Sequence, residues 1–106
     1  MADEVELAVL TAVFDAKPER ADELAAVLAR YVVLTRREAP CRNVDLLASA
    51  TQRGQFVVIE KWDSPDAARA HLDTVLMTDM AEAAVPLLAA QPRIDLLDTI
   101  SAHDLM

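Results

Sequence analysis

The sequence predicts a single α+β domain spanning residues 1–106, with the ferredoxin-like order βαββαβ and an antiparallel sheet that carries both helices on one face. Three observations support this fold class. Four segments resemble strands, among them a run rich in Val and Leu and a β-branched and aromatic run. Two longer segments repeat apolar residues every three or four positions, as amphipathic helices do. The length suffices for one hydrophobic core and is too short for two domains.

The element boundaries follow from these patterns and from proline, glycine and capping residues. The predicted elements are a strand over Val5–Phe14, a helix from Pro18 to about Glu38, strands over Val44–Ala48 and Phe56–Ile59 (closing on Trp62), a helix from Pro65 to about Ala84 with a break near Val75, and a strand over Arg93–Ile100. Thr51–Gly54 forms the hairpin turn, and Asp63 or Ser64 caps the second helix.

Both faces of the first and third strands are apolar. Val9 and Val13 have one parity in the first strand, whereas Leu10 and Phe14 have the other. Because a bare sheet face on a monomer is normally polar, we expect a second copy of the chain to cover it, giving a homodimer of the dimeric α+β barrel type. The alternative is that the C-terminal tail, or the β-propensity of these residues alone, accounts for part of the second apolar face.

Composition argues against several classes of function. A net charge of −8 opposes binding to nucleic acid and to anionic membranes, and no apolar run reaches the length of a membrane span. The single cysteine, Cys41, fits a reducing compartment, and the acidic start lacks a signal peptide, so we expect a cytoplasmic protein. Two histidines 32 residues apart give no support for a metal site, and we expect no cofactor.

His71 is the candidate catalytic residue. Helical spacing places Ala68, His71, Leu72 and Val75 on one side of the second helix, so the imidazole is expected to face the sheet. Imidazole titrates near neutrality and suits an acid/base role. The alternative is a structural histidine that is hydrogen-bonded to a carboxylate or a backbone carbonyl.

Four further residues are candidates for substrate binding: Trp62, Glu60, Phe56 and Thr11. Trp62 either stacks on an aromatic substrate or fills the core or dimer interface. Glu60 stands in an apolar strand and needs a partner, such as His71, Arg93 or an arginine of the second chain; it either orients the imidazole or forms a salt bridge that holds the dimer. Thr11 either points a hydroxyl into the cavity or is a β-branched filler.

The segments AVFDAKPERADELAAVL and FVVIEKWDSPDAARAHL, together with Pro40-Cys41, resemble the antibiotic biosynthesis monooxygenase family. The resemblance covers nearly the whole chain. Its most specific part is Glu60-x-Trp62-Asp63-Ser64 followed by Ala70-His71-Leu72. The sequence departs from the family pattern at Pro40, where a glycine is common, at Val44, where an aromatic is common, and at Leu76, where many members have a second histidine.

The resemblance implies a dimeric barrel fold and a monooxygenase that uses O₂ without a cofactor to oxidise a small aromatic, quinol or polyketide-like compound. His71 would act as the base, and Trp62, Phe56 and Thr11 would shape the pocket. Two alternatives stay open. One is a non-catalytic dimer that binds a small ligand, which the leucine at position 76 favours. The other is a haem-binding or haem-degrading member, which would need an axial histidine on the second helix. The absence of the tryptophan and asparagine that face the haem ring in such members opposes it.

Overall fold

The computed structural model describes residues 7–100. The strands are β1 (Ala8–Asp15), β2 (Cys41–Ala48), β3 (Gln55–Trp62) and β4 (Arg93–Asp98). The α-helices are α1 (Ala21–Thr35), α2 (Pro65–Leu72) and α3 (Val75–Ala84), and one 3₁₀ turn, Val85–Leu87, follows α3. The predicted βαββαβ order is confirmed, with two consecutive helices in the second helical position. The predicted start of the first strand at Val5 and the C-terminal tail lie outside the described residues.

The sheet is antiparallel, with the strand order β2-β3-β1-β4. β1 and β3 are therefore its central strands. Their register pairs Leu10 with Glu60 and Ala8 with Trp62. This register holds the candidate carboxylate and the tryptophan in the middle of the sheet, near the start of β1.

One face of the sheet packs against the helices and forms the core. Every second residue of β1 is buried, in the alternation expected of a strand with one covered face. These side chains meet the apolar stripes of α1 and α3, and the resulting core includes Ala12, Phe14, Leu24, Leu28, Val44, Val58, Met80 and Ala84. No helix among residues 7–100 has the length and apolar character needed to cross a membrane.

The second helical region is divided by a cap. Ser64 caps α2, since its hydroxyl accepts a hydrogen bond from the backbone N–H of Ala67 at 3.1 Å. α2 ends at Leu72, and Thr74 then caps α3 by accepting from the N–H of Met77 at 3.2 Å. The break predicted near Val75 is confirmed. The expected orientation of Val75 toward the sheet is wrong, because the new helix turns this side chain outward and leaves it 74% exposed.

The other face of the sheet carries no helix among the described residues, and it combines apolar side chains with polar ones. Its apolar side chains are Val9, Val13, Leu47, Val57, Ile59 and Leu97. Ile59, Leu47 and Leu97 are 39%, 46% and 46% exposed. Thr11 lies in the middle of this face, where it pairs with Ile59 and Asp95 across the sheet.

Candidate functional site

A buried cluster of polar and aromatic side chains lies between the sheet and the helices. Its members are Tyr31 of α1, Glu38 in the turn after α1, Glu60 and Trp62 of β3, and His71 of α2. Four of them are almost fully removed from solvent, with exposures of 3% or less for Tyr31, Glu60, Trp62 and His71. Polar groups buried to this extent need hydrogen-bond partners, and the cluster supplies them internally.

His71 is the centre of the cluster. Ser64 sets the start of α2, and the seven residues from that cap bring the imidazole to the buried side of the helix. The Nδ1 atom lies 2.8 Å from Oε2 of Glu38, and the Nε2 atom lies 2.6 Å from the phenol oxygen of Tyr31. The ring also packs on Trp62, with the centroids 4.6 Å apart. Both ring nitrogens and one ring face are therefore occupied by protein groups.

Glu60 is held by two donors of different elements. The Tyr31 hydroxyl donates to its Oε2 atom at 2.6 Å, and the indole Nε1–H of Trp62 donates to its Oε1 atom at 3.0 Å. The same Oε1 atom lies 3.5 Å from Nε2 of His71. Of the three candidate partners for Glu60, His71 is the one in contact within the chain, whereas Arg93 pairs with Asp95 at 3.7 Å.

With Glu38 ionised, the hydrogen bonds set the number of protons that His71, Tyr31 and Glu60 share. An ionised Glu38 only accepts, so the Nδ1 atom of His71 carries a proton. In one arrangement, the Tyr31 hydroxyl donates its proton to Glu60. The Nε2 atom then carries a proton that it donates to the Tyr31 oxygen, and His71 is an imidazolium. If the phenol proton goes to Nε2 instead, Glu60 carries a proton. The two arrangements hold the same number of protons and differ only by shifts along two 2.6 Å hydrogen bonds.

Tyr31 remains a neutral phenol over the ordinary pH range. Burial raises its pKa well above its usual value, and the negative charge of Glu60 raises it further. Because the folded pKa exceeds the unfolded one, the protonated phenol stabilises the fold fully below the usual tyrosine pKa near 10, and this stabilisation is lost as the pH rises above it. Tyr31 can therefore pass a proton between Glu60 and His71 only by donating one as it receives another.

Cys41 lies at the edge of the cluster and is a protonated thiol at neutral pH. Burial and the nearby charge of Glu60 raise its pKa to about 11. Since the thiolate is the nucleophilic form of cysteine, this environment does not activate Cys41.

Glu38 connects the buried cluster to the surface. Its side chain is 28% exposed, whereas that of His71 is fully buried. A molecule approaching from solvent would therefore meet the carboxylate of Glu38 before the imidazole. Proton exchange between His71 and the exterior has a direct route through this carboxylate.

The structure brings together three of the five predicted site residues: His71, Glu60 and Trp62. Phe56 lies on the same sheet face but pairs with Phe14, four residues along β3 from Glu60, or about 13 Å. Thr11 lies on the opposite face of the sheet and does not face the cluster. Side chains alternate between the two sheet faces along β1, so Leu10 and Ala12 point toward the helices and Thr11 points away from them.

The sequence analysis missed two members of the cluster. Tyr31 occupies an apolar position of the predicted helix, and the only available signal was that a buried tyrosine hydroxyl usually requires a partner. Glu38 was assigned to the helix end. Its contact with His71 depends on α1 ending at Thr35 and on the turn that follows, and a helical pattern does not specify that turn.

The side chains among residues 7–100 give little support for a metal site or for a haem site. No group of three or more histidine, cysteine, aspartate or glutamate side chains among residues 7–100 is arranged to hold a metal. An axial haem ligand needs a free imidazole nitrogen. Both nitrogens of His71 are engaged, with Glu38 and Tyr31, so the cluster does not fit this role.

A spectrophotometric titration tests the environment of Tyr31, which is the only tyrosine of the chain. We expect no tyrosinate absorbance at 295 nm while the protein stays folded, and a rise that coincides with alkaline unfolding, since the folded pKa lies far above 10. Circular dichroism on the same samples reports unfolding. Reversible ionisation near pH 10 with an unchanged dichroism spectrum would show that the phenol is not buried beside Glu60.

Solved structures from several bacteria share this fold. A Pseudomonas aeruginosa protein is 26% identical, with 94% of this chain and all of that chain covered and a TM-score of 0.81. A Caulobacter crescentus protein that bears the name of the antibiotic biosynthesis monooxygenases is also 26% identical, with 91% and 92% coverage and a TM-score of 0.81. A Mycobacterium tuberculosis protein at 24% identity, 92% and 99% coverage and a TM-score of 0.84 shows the same fold.

No curated protein matches the chain. The model of the antibiotic biosynthesis monooxygenase family, in contrast, matches residues 8–83, which include every member of the buried cluster. This match extends over most of the sequence and agrees with the strand order, the helix positions and the solved relatives. The chain belongs to the antibiotic biosynthesis monooxygenase family.

Proposed function

We propose that the protein is a cofactor-independent monooxygenase that oxidises a small, electron-rich hydroxyaromatic compound with O₂. His71 supplies the acid/base function, and Glu38 exchanges protons between His71 and the substrate. Membership of the family and the monooxygenase names of several relatives support this reaction class.

The observation that carries the proposal is the histidine held between Glu38 and the Tyr31–Glu60 pair. Each of its nitrogens contacts an oxygen at 2.8 Å or less, and the chain of hydrogen bonds ends at a partly exposed carboxylate. A structural histidine would also need a partner for each buried ring nitrogen, but it would not need such a chain. This one sits in a continuous proton path of four ionisable side chains.

The reaction needs a base and a dry environment. Loss of a hydroxyl proton makes the ring an anion that can give an electron to O₂, and the two radicals then combine at a ring carbon. One oxygen atom stays on the ring and the other leaves as water. For a dihydroxybenzene the product is a hydroxyquinone, and the ring supplies all four electrons. Glu38 and His71 would take the first proton and return one to the departing oxygen.

A second candidate function is non-catalytic binding of a small ligand. The complete burial of the His71 side chain favours it, because the imidazole cannot touch a substrate unless Glu38 moves. In this case the cluster only fixes the packing of α2 on the sheet. The two functions differ in whether the protein consumes oxygen.

Glutamine variants test the acid/base role. With a panel of quinols and no added metal or flavin, we expect Glu38→Gln to lower the rate of oxygen uptake by about 10² to 10⁴, the usual contribution of one positioned acid/base group. His71→Gln should lower it at least as much. An oxygen electrode measures the rate, and thermal unfolding of each variant reports stability.

The matched control is Glu82→Gln, which removes the same charge from an exposed position of α3 and should leave the rate unchanged. Oxygen uptake by Glu38→Gln equal to that of the unchanged protein would contradict the acid/base role. Absence of oxygen uptake by the unchanged protein with every quinol would favour the binding function.

We also propose that the protein is a homodimer in which the bare sheet faces pack together. Six apolar side chains share this face, and three of them are more than a third exposed in the single chain. Contiguous apolar surface of this kind is uncommon on monomers and marks association sites. Two-fold pairing covers the face on both chains at once.

Light scattering tests the dimer. The unchanged protein should give twice the 11.6 kDa mass of one chain, and Val9→Asp should give a single-chain mass, because burying an added carboxylate in the interface is costly. Val75→Asp is the control, since Val75 is exposed at the first position of α3, where a negative charge is favourable. A single-chain mass for the unchanged protein would rule out the dimer.

A further inference from the structure

Two oxidisable side chains meet at one carboxylate in the buried cluster. Tyr31 and Trp62 are the only tyrosine and the only tryptophan of the chain. The phenol O–H of Tyr31 donates to Oε2 of Glu60 at 2.6 Å, and the indole N–H of Trp62 donates to Oε1 at 3.0 Å. Phenol and indole rings can each lose a single electron, and here both share one proton acceptor.

Oxidation of either ring requires that a proton leaves with the electron. A phenol or an indole that loses an electron becomes a radical cation, and a buried positive charge without a partner is costly. Tyr31 is 3% exposed and Trp62 is 0% exposed, so bulk water has little access to their protons. Because Glu60 accepts from both rings, either proton needs to move only along an existing hydrogen bond.

The charge of the cluster favours the loss of an electron. In the arrangement with an imidazolium, Glu38 and Glu60 carry two negative charges against the one positive charge of His71, so one negative charge is in excess. The other arrangement has the same excess, since it differs only in the position of the protons. Removing one electron cancels this excess, and the electrostatic gain is larger in the buried interior than in water.

The imidazole of His71 is close to both oxidisable rings. Its centroid is 5.7 Å from that of Tyr31 and 4.6 Å from that of Trp62, so the two rings are no farther apart than the sum of these distances. Tyr31 also lines a cleft between α1 and α3, together with the exposed side chains of Arg30 and Asp79. An oxidant at this surface can therefore take an electron from Tyr31 over a short distance.

We infer that Tyr31 and Trp62 form a one-electron donor pair that reduces oxidising aromatic radicals, with Glu60 as the shared proton acceptor. An electron passes from the Tyr31 ring to an aromatic oxyl radical, which becomes an aromatic oxide anion. The phenol proton moves to Glu60, or to Nε2 of His71 when Glu60 already holds a proton, and a neutral tyrosyl radical remains. A one-electron donor such as ascorbate then restores the phenol as the proton returns.

Trp62 can take over the oxidised state from Tyr31. The indole then gives one electron to the tyrosyl radical and its N–H proton to Oε1 of Glu60, while Oε2 returns a proton to the phenol oxygen. The number of protons on Glu60 is unchanged by this exchange. The donor pair does not depend on the proposed monooxygenase reaction, because no base acts on a substrate.

A photogenerated oxidant tests the pair in the full chain. Ruthenium(III) tris-bipyridine, formed by a laser flash with a sacrificial electron acceptor, is a cation that the net charge of −8 attracts. We expect transient absorption and electron paramagnetic resonance to show a tyrosyl radical. Tyr31→Phe should abolish this signal and give the neutral radical of Trp62 instead. In the unchanged protein, D₂O should slow the appearance of the tyrosyl radical, because a proton moves with the electron.

Paired variants test Glu60 as the proton acceptor. In the Tyr31→Phe background, Glu60→Gln removes the carboxylate that accepts from the indole N–H. We expect oxidised Trp62 to persist as the radical cation, whose absorption lies at longer wavelength than that of the neutral radical. Glu82→Gln in the same background is the control, since Glu82 is exposed on α3, and it should give the neutral radical. Circular dichroism reports the fold of each variant.

Absence of a tyrosyl signal from the oxidised, folded protein would overturn the inference. Equal rates in H₂O and D₂O, or identical radical spectra for the Glu60→Gln and Glu82→Gln variants, would contradict the role of Glu60. Oxygen uptake with quinols is a separate measurement. Its absence would contradict the monooxygenase and leave the donor pair intact, whereas oxygen uptake without a tyrosyl radical would contradict only the donor pair.

Discussion

The structure depends on the burial of Glu60 in a central strand. A carboxylate among apolar side chains is costly unless its oxygens are satisfied, and here the donors come from Tyr31 and Trp62, with His71 close by. This requirement links α1, β3 and α2 at one point. The break between α2 and α3 has a related role, since it lets the short α2 place His71 on the cluster while α3 packs independently along α1.

The cluster differs from an ordinary buried salt bridge because its hydrogen bonds form a continuous chain along which protons can shift. The chain begins at Glu38, which is partly exposed to solvent, and ends at Glu60, which is buried in the core. His71 and Tyr31 lie between them and can change hydrogen-bond direction without changing the number of protons. Such an arrangement can hold a proton at either end with little movement of the backbone, which suits reversible acid/base chemistry.

The sequence was sufficient to predict the architecture and the orientation of His71 toward the sheet. Strand parity placed Glu60 and Trp62 on one face, and helical spacing placed His71 against them. It could not identify Glu38, whose position depends on the turn between α1 and β2, and it treated Tyr31 as an apolar side chain. Thr11 was assigned to the wrong side of the sheet for this site because both faces of β1 are apolar, so polarity did not indicate which face the helices cover.

A double-mutant cycle between Tyr31→Phe and Glu60→Gln tests the central claim most directly. Urea unfolding is measured for the two single variants and the double variant at one protein concentration, because any dimer makes stability depend on concentration. The account predicts that each single change costs about 1 to 3 kcal/mol and that the double variant loses less than their sum by at least about 0.5 kcal/mol. Costs that add to within about 0.3 kcal/mol would contradict a buried network built on this pair.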